Sequence, residues 1–378
     1  MPARIAQELA DLARLARDGN LDLSQVSLRV KADLLMSAPQ PPLEDLAAFR
    51  EMAVTLIPTV DEPTALILAR KLSGWRHTPG AVLTALAAHG GAVLVEMLRH
   101  GMPLSLTELE QFAETGDVAI RGALAVRRDL TNTPVLLLVS EADRSIDLAL
   151  IGNREAPLPR AAVDILIARS RNDAAYQRGL LARQDLSNLE LSPLFLRAGP
   201  ERRLAILESL MAREALHPSE RRAAVTGAAF AGWLTLAGEN RADAFAVIAD
   251  HLGGGAPLAA AMAGDSSRDL AALCLIASGA SVEEATRFLI RLGDETAHSV
   301  ERIFALVDLM RVVRPSIAFR LSMLIAGAQP LSASQRKGQH QPAMDPSGTP
   351  VRPGAARPEA QSGLPEVLGR IGAKRDRG

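Results

Sequence analysis

The chain has 378 residues, of which 48% are apolar and only 3% aromatic, with a formal charge of −1 and a single cysteine, Cys274. One cysteine excludes an internal disulfide and argues against a cysteine-built metal site, and a near-neutral chain carries no overall signal for nucleic acid. A core built from Ala, Leu, Val and Ile suits closely packed helices and fits a β-architecture poorly.

The opening stretch, ARIAQELADLARLARDGN, predicts an amphipathic helix with Ile5, Leu9, Leu12 and Leu15 on one face and Gly19-Asn20 as its stop. Its regular charges leave no signal-peptide core, and no run reaches the roughly 18 apolar residues of a membrane span. A cytoplasmic location is therefore expected. A second helix is predicted over about Ser27 to Ser37, before the proline-rich hinge SAPQPPLED.

A repeat follows. Apolar helical segments are predicted to begin near Thr64, Gly91, Val118, Ser145 and Asp173, about 27 residues apart, and each closes near an arginine: Arg70, Arg99, Arg127, Arg154 and Arg183. Two of these closures are nearly the same words, AVRRDLTN and LARQDLSN. Second helices are predicted to start at Thr78-Pro79, Thr133-Pro134, Pro159 and Ser192-Pro193, and at Ser105, which stands in capping-box spacing with Glu108. One hairpin cannot bury its apolar face alone, whereas stacked neighbours can. A fixed period of short hairpins therefore predicts an all-α fold, an α-solenoid.

Beyond about Arg213 the period fades. ERRAAVTGAAFAGWLTLA reads as a fully packed segment, the glycines of LGGGAP as a flexible link, and SRDLAALCLIASGASVEEATRFLI as a further hairpin with Ser281 and Glu284 in capping-box spacing. Two more helices meet at Pro315. After Gln329 the composition has little to bury and predicts a disordered tail, with eight Lys/Arg against four Asp/Glu from Leu331 onward. At its end Leu364, Leu368 and Ile371 recur at i, i+4 and i+7, the format of a docking helix. The predicted units are an N-terminal cap over 1–42, hairpin repeats over 43–212, a helical C-terminal bundle over 213–329 and a basic tail over 330–378.

The segments LAVRRDLTNTPVLLLV, LIGNREAPLPRAAVDILI, LLARQDLSNLELSPLFL and DLAALCLIASGASVEEATRFLI resemble an alphaproteobacterial domain-of-unknown-function family with HEAT-like or leucine-rich-repeat-variant helical repeats. The resemblance runs from Phe49 to about Gly327. It implies architecture and carries no catalytic residues over.

Two readings stand for the arginines and for Asp129 and Asp185. They either grip a partner's carboxylate or phosphate along one edge, or they terminate helices by meeting free carbonyls, which the recurrence in every repeat favours. Asn153 is expected to act at the same level through its amide. His77, His89 and His100 match no short metal motif, and Asp294, His298 and Ser299 lie too close together for a hydrolase triad. Trp75, in the polar loop SGWRHTP, is a candidate contact, and Cys274 is expected to be an inert buried thiol. No metal and no cofactor are expected. These observations predict a non-catalytic protein-interaction scaffold or regulatory adaptor contacting its protein partner through Arg70, Arg99, Arg127, Arg154, Arg183, Asp129, Asp185 and Trp75. The alternative is a HEAT-like nucleic-acid-binding or base-processing protein.

Overall fold

The computed structural model describes residues 23–218, 222–293 and 299–328. Among the described residues the regular elements are nineteen α-helices and two short 3-10 turns, and all of them belong to one compact unit.

The first eleven helices are α1 (Leu23–Ser37), α2 (Leu43–Leu56), α3 (Glu62–Leu72), α4 (Gly80–Ala87), α5 (Gly91–His100), α6 (Leu106–Thr115), α7 (Val118–Ala125), α8 (Asn132–Ser140), α9 (Arg144–Gly152), α10 (Arg160–Ser170) and α11 (Ala174–Ala182). The 3-10 turn Ser192–Arg197 leads into α12 (Pro200–Leu216). The remaining helices are α13 (Gly227–Glu239), α14 (Arg241–Leu252), α15 (Gly255–Gly264), α16 (Asp269–Ala277), α17 (Val282–Arg291), α18 (Val300–Val312) and α19 (Pro315–Ala326).

Start signals sit where the chemistry of helix ends requires them. Asp61, Asp117, Asp143 and Asp173 each accept a hydrogen bond from a first-turn N–H of α3, α7, α9 and α11. A carboxylate there satisfies an orphan donor and faces the positive end of the helix dipole. The capping boxes Ser105–Glu108 and Ser281–Glu284 open α6 and α17. Two expected caps differ. The Thr78 hydroxyl donates to the Leu72 carbonyl at 2.6 Å and leaves Pro79 as the cap residue of α4. Helix α8 starts at Asn132, so Pro134 lies inside its first turn, where a missing N–H costs no helical bond.

Alternate helices pack on one another through most of the stack. One row runs α1, α3, α5, α7, α9, α11, each packed on the next, and the facing row pairs α2 with α4, α6 with α8 and α8 with α10. Hairpin contacts such as α6 with α7 and α10 with α11 join the rows. This is the neighbour pattern of an α-solenoid, and it follows from short helices whose apolar stripe is too wide for one partner. Three core clusters result. The first spans Leu28 to Val93, the second Leu109 to Leu194, and the third Phe195 to Ala326.

The third cluster is a bundle around α16, which touches α14, α15, α17, α18 and α19. All nine residues of α16 are buried. The expectation of a fully packed segment in AAFAGWLTLA is corrected here, since α13 buries only Phe230, Trp233 and Ala237. The small residues of α13 other than Ala237 are exposed, and the helix with neighbours on every side is DLAALCLIA. The triple glycine forms the tight corner between α14 and α15. Gly253 ends α14 in the left-handed region (φ 75°), and Gly255 opens α15 with φ 53°. A side chain at Gly254 would lie 2.6 Å from Leu258.

Candidate functional site

The R-x-D-L words resolve into one device used twice. Arg127 lies just past α7 and is 5% exposed; Arg183 lies just past α11 and is 1% exposed. Each guanidinium is held edge-on by the aspartate two residues later. Arg127 donates to both oxygens of Asp129 at 2.8 and 2.6 Å, and Arg183 to both oxygens of Asp185 at 3.0 and 2.7 Å. The fork turns the other edge of each guanidinium onto the preceding repeat. Arg127 donates to the Leu98 and Met102 carbonyls at the end of α5. Arg183 donates to those of Leu150, Ile151, Asn153 and Ala156 at the end of α9. Leu130 and Leu186, the last residues of the two words, are buried and pin the turns.

The series is continuous. Between the two arginines, the Asn153 amide donates to the carbonyls of Ala125 and Arg127, so it closes the end of α7. After them, Arg202 on α12 donates to the carbonyls of Leu181 and Arg183 at the end of α11. Four side chains thus cap four consecutive helices of one row, each reaching back from the following repeat. Buried carbonyls left without donors would cost about 1–3 kcal/mol apiece.

The structure therefore divides the five arginines taken from the sequence. Arg127 and Arg183 have their donors turned into the stack, which leaves no edge of theirs for a partner. Arg154 is exposed beside Asn153, which occupies the structural position of the other two. Arg70 and Arg99 stand inside the last turns of α3 and α5 and are exposed. Asp129 is half-buried and Asp185 exposed, each engaged by its own arginine. Asp129 also accepts the Leu104 N–H at 2.7 Å. Burial pulls the Asp129 pKa upward, but the bonds from Arg127 and Leu104 outweigh it and hold the carboxyl below its ordinary range. The hydrogen bond from Arg183 does the same for Asp185.

Arg70 and Arg99 meet at one buried acid. Glu96 of α5 is 8% exposed at its side chain, and Arg70 Nε lies 2.5 Å from Oε1, His100 Nε2 3.3 Å from Oε1, and Arg99 Nη1 3.9 Å from Oε2. The loop carrying Trp75 is fastened beside this group. The Met102 N–H donates to the Ser73 carbonyl at 3.0 Å, and a Cβ on Gly74 would come within 2.8 Å of the His100 carbonyl. Trp75 is half-buried against the first core cluster and meets the His77 ring edge-on at 5.6 Å.

A second polar node lies inside the stack. Asp147 of α9 is fully buried, and its Oδ2 accepts from Arg169 Nη1 and from the Tyr176 hydroxyl, both at 2.7 Å. Its Oδ1 has no hydrogen-bond partner among the described residues. Burial, then the bond to Asp147 and the charge behind it, push the Tyr176 phenol well up. Cys274 is buried in α16, and desolvation raises its thiol to about 12.

The histidines go separate ways. His89 Nε2 pairs with the Ile57 carbonyl, and His77 Nε2 accepts from Arg76. Among the described residues no group of three His, Cys, Asp or Glu side chains is arranged to hold a metal ion. Ser299 caps α18, while Asp294 and His298 lie outside the described residues. Leu364, Leu368 and Ile371 lie outside them as well. Sequence reasoning missed Arg202, which sits in the first turn of a helix where no period pointed, and the aspartate caps, whose recurrence at 117, 143 and 173 was a readable signal.

The model of a bacterial family of uncharacterised proteins, DUF2336, matches residues 93–304, from α5 into α18 and more than half of the chain. That span is narrower than the Phe49–Gly327 resemblance and leaves out α1 to α4. No curated protein and no solved structure gives a significant match.

Proposed function

We infer a binding role for this chain, which belongs to the DUF2336 family: a non-catalytic scaffold or adaptor that receives a partner protein on the exposed side of its stacked hairpins. The observation that carries this reading is the internal use of the repeated polar residues. Arg127, Asn153, Arg183 and Arg202 are spent on carbonyls of the neighbouring repeat, so the recurring words build the frame and leave recognition to residues that keep exposed surface. Arg70, Arg99, Arg154 and Trp75 are such residues. Stacked hairpins distribute many weak contacts over neighbouring repeats, which suits protein recognition. No described helix is long and apolar enough to cross a membrane, so the frame itself offers no bilayer-spanning element.

The test is site-specific photo-crosslinking in bacterial cells, with the photoreactive residue placed in turn at 70, 99 and 154. The scaffold reading expects a common partner band from more than one position. Crosslinks that never leave the chain itself would count against it.

A further inference from the structure

We propose that the ends of α3 and α5, with the loop between α3 and α4, form a docking site for a short acidic segment of a partner protein. The inference deepens the scaffold reading and rests on it.

The charge distribution singles out this place. Between Glu62 and Glu108 the only acidic residue is Glu96, against Arg70, Lys71, Arg76 and Arg99 and the three histidines His77, His89 and His100. The chain up to Pro330 carries 34 Lys and Arg against 39 Asp and Glu, so this is a basic stretch in a sequence that is otherwise net acidic.

The geometry turns that stretch outward. Glu96 lies at the bottom of the group, while the side chains of Arg70 and Arg99 are 68% and 48% exposed. Arg70 reaches the acid through Nε, and its two terminal nitrogens make no bond to any described residue. Arg99 stands only at ion-pair distance. One buried carboxylate therefore orients two guanidinium groups without saturating either. Lys71 is taken by Asp33 at 2.6 Å and belongs to a different contact. Arg76 gives its Nε to His77 at 3.0 Å and is itself exposed.

Guanidinium forks match carboxylates in a two-bond geometry, and the half-buried indole of Trp75, on the loop fastened at Ser73 and Gly74, supplies a flat apolar contact. The stretch is confined to two helix ends and one loop, room for a few acidic residues. Arg70, Trp75 and Arg76 precede the matched family span, whereas Glu96 and Arg99 lie inside it.

The experiment is fluorescence anisotropy of a short fluorescein-labelled Glu/Asp peptide titrated with the full chain. Binding is expected at low salt and should weaken several-fold at physiological salt, because exposed charges are screened over about 8–10 Å. The double variant Arg70→Gln/Arg99→Gln should lose about tenfold in affinity, since two exposed charge pairs are removed. Glu96→Gln should bind several-fold tighter, since it removes the internal competitor. Arg160→Gln, an exposed arginine on α10, should leave binding unchanged. If circular dichroism shows the double variant unfolded, Arg76→Gln and Glu96→Gln carry the comparison. Equal affinity of wild type and Arg70→Gln/Arg99→Gln, or no gain from Glu96→Gln, overturns the proposal. So does a single-stranded oligonucleotide of equal charge that displaces the peptide. Partner crosslinks at 154 with no peptide binding would sink this inference and spare the scaffold reading; peptide binding without any crosslinks would do the reverse.

Discussion

Arg183 Nη1 donates to the main-chain oxygen of Asn153 at 2.8 Å, thirty residues back along the chain. Asn153 in turn donates from its amide to the carbonyl of Arg127 at 2.6 Å. Each residue that closes one helix is thus the substrate for closure by the next, and the row is stitched end to end along a single line.

That line predicts unequal costs for three arginines that look alike in sequence. Replacing Arg183 with Met should cost about 3–5 kcal/mol, because four carbonyls of the α9 end lose their donor in a dry setting. Arg127→Met should fall in the same range. Arg154→Met, at an exposed position, should stay within about 0.5 kcal/mol. Urea unfolding followed by circular dichroism measures all three. Similar midpoints for Arg154→Met and Arg183→Met would show that the stitches do not carry load.

Acid should loosen the same line. Asp129 and Asp185 both titrate below the ordinary 3.8 in the folded chain. Carboxylates with a depressed folded pKa contribute fully above the unfolded value, and that contribution drains away as pH falls through the folded one. Stability from these two groups should therefore be flat from neutral pH to 3.8 and decline below it. The variant Asp129→Asn/Asp185→Asn should be less stable at neutral pH and show a shallower acid decline than wild type. Parallel thermal-melting curves against pH for the two proteins would refute the assignment.

Tyr176 is the only tyrosine of the chain, so ultraviolet titration reads it alone. Its phenolate absorbance should not develop around the ordinary 10.0, and should rise only at distinctly more alkaline pH, because the phenol is buried and donates to the Asp147 carboxylate. Asp147→Asn should bring the transition down toward the ordinary value. Tyr176→Phe should destabilise the chain by about 2 kcal/mol, since it leaves a buried carboxylate with one fewer donor. A wild-type transition centred near 10.0 would contradict the buried pair.

Cys274 offers an equally selective reporter. Its thiol is buried and raised to about 12, so the folded chain should resist a disulfide reagent at neutral pH and react at the rate of opening of the bundle around α16. Stoichiometric labelling within seconds in the absence of denaturant would show that α16 is accessible. Mild urea should accelerate labelling before the bulk of the helical signal is lost.

Much of this was legible in the chain. Five predicted starts, near Thr64, Gly91, Val118, Ser145 and Asp173, fall within two residues of the observed helices, because caps and apolar spacing are local signals. The words AVRRDLTN and LARQDLSN announced helix ends for the same reason. Direction and burial of the arginines were not legible. Whether Arg127 looks out or back depends on carbonyls of residues 98 and 102, which only the stacking of α5 against α7 brings near. Asn153 could replace an arginine unseen because the rung requires a donor at a place rather than a charge. The convergence of Arg70 and Arg99 on Glu96 was hidden by equal spacing, which made all five arginines look like copies. The contrast between α13 and α16 was hidden as well, since both are small and apolar, and only the number of surrounding helices separates them.

The position of α16 also sets an order of events during synthesis. Helices of the two rows pack on partners already made, so the stack can consolidate behind the ribosome one hairpin at a time. Helix α16 has no such liberty: it needs α14 and α15 before it and α18 and α19 after it. Until residues near Ala326 have left the exit tunnel, a helix that is apolar apart from Asp269 is expected to lack its covering partners. The newborn chain is therefore expected to pack its stacked hairpins before its last bundle can close, an order set by where the partners of α16 lie in the sequence.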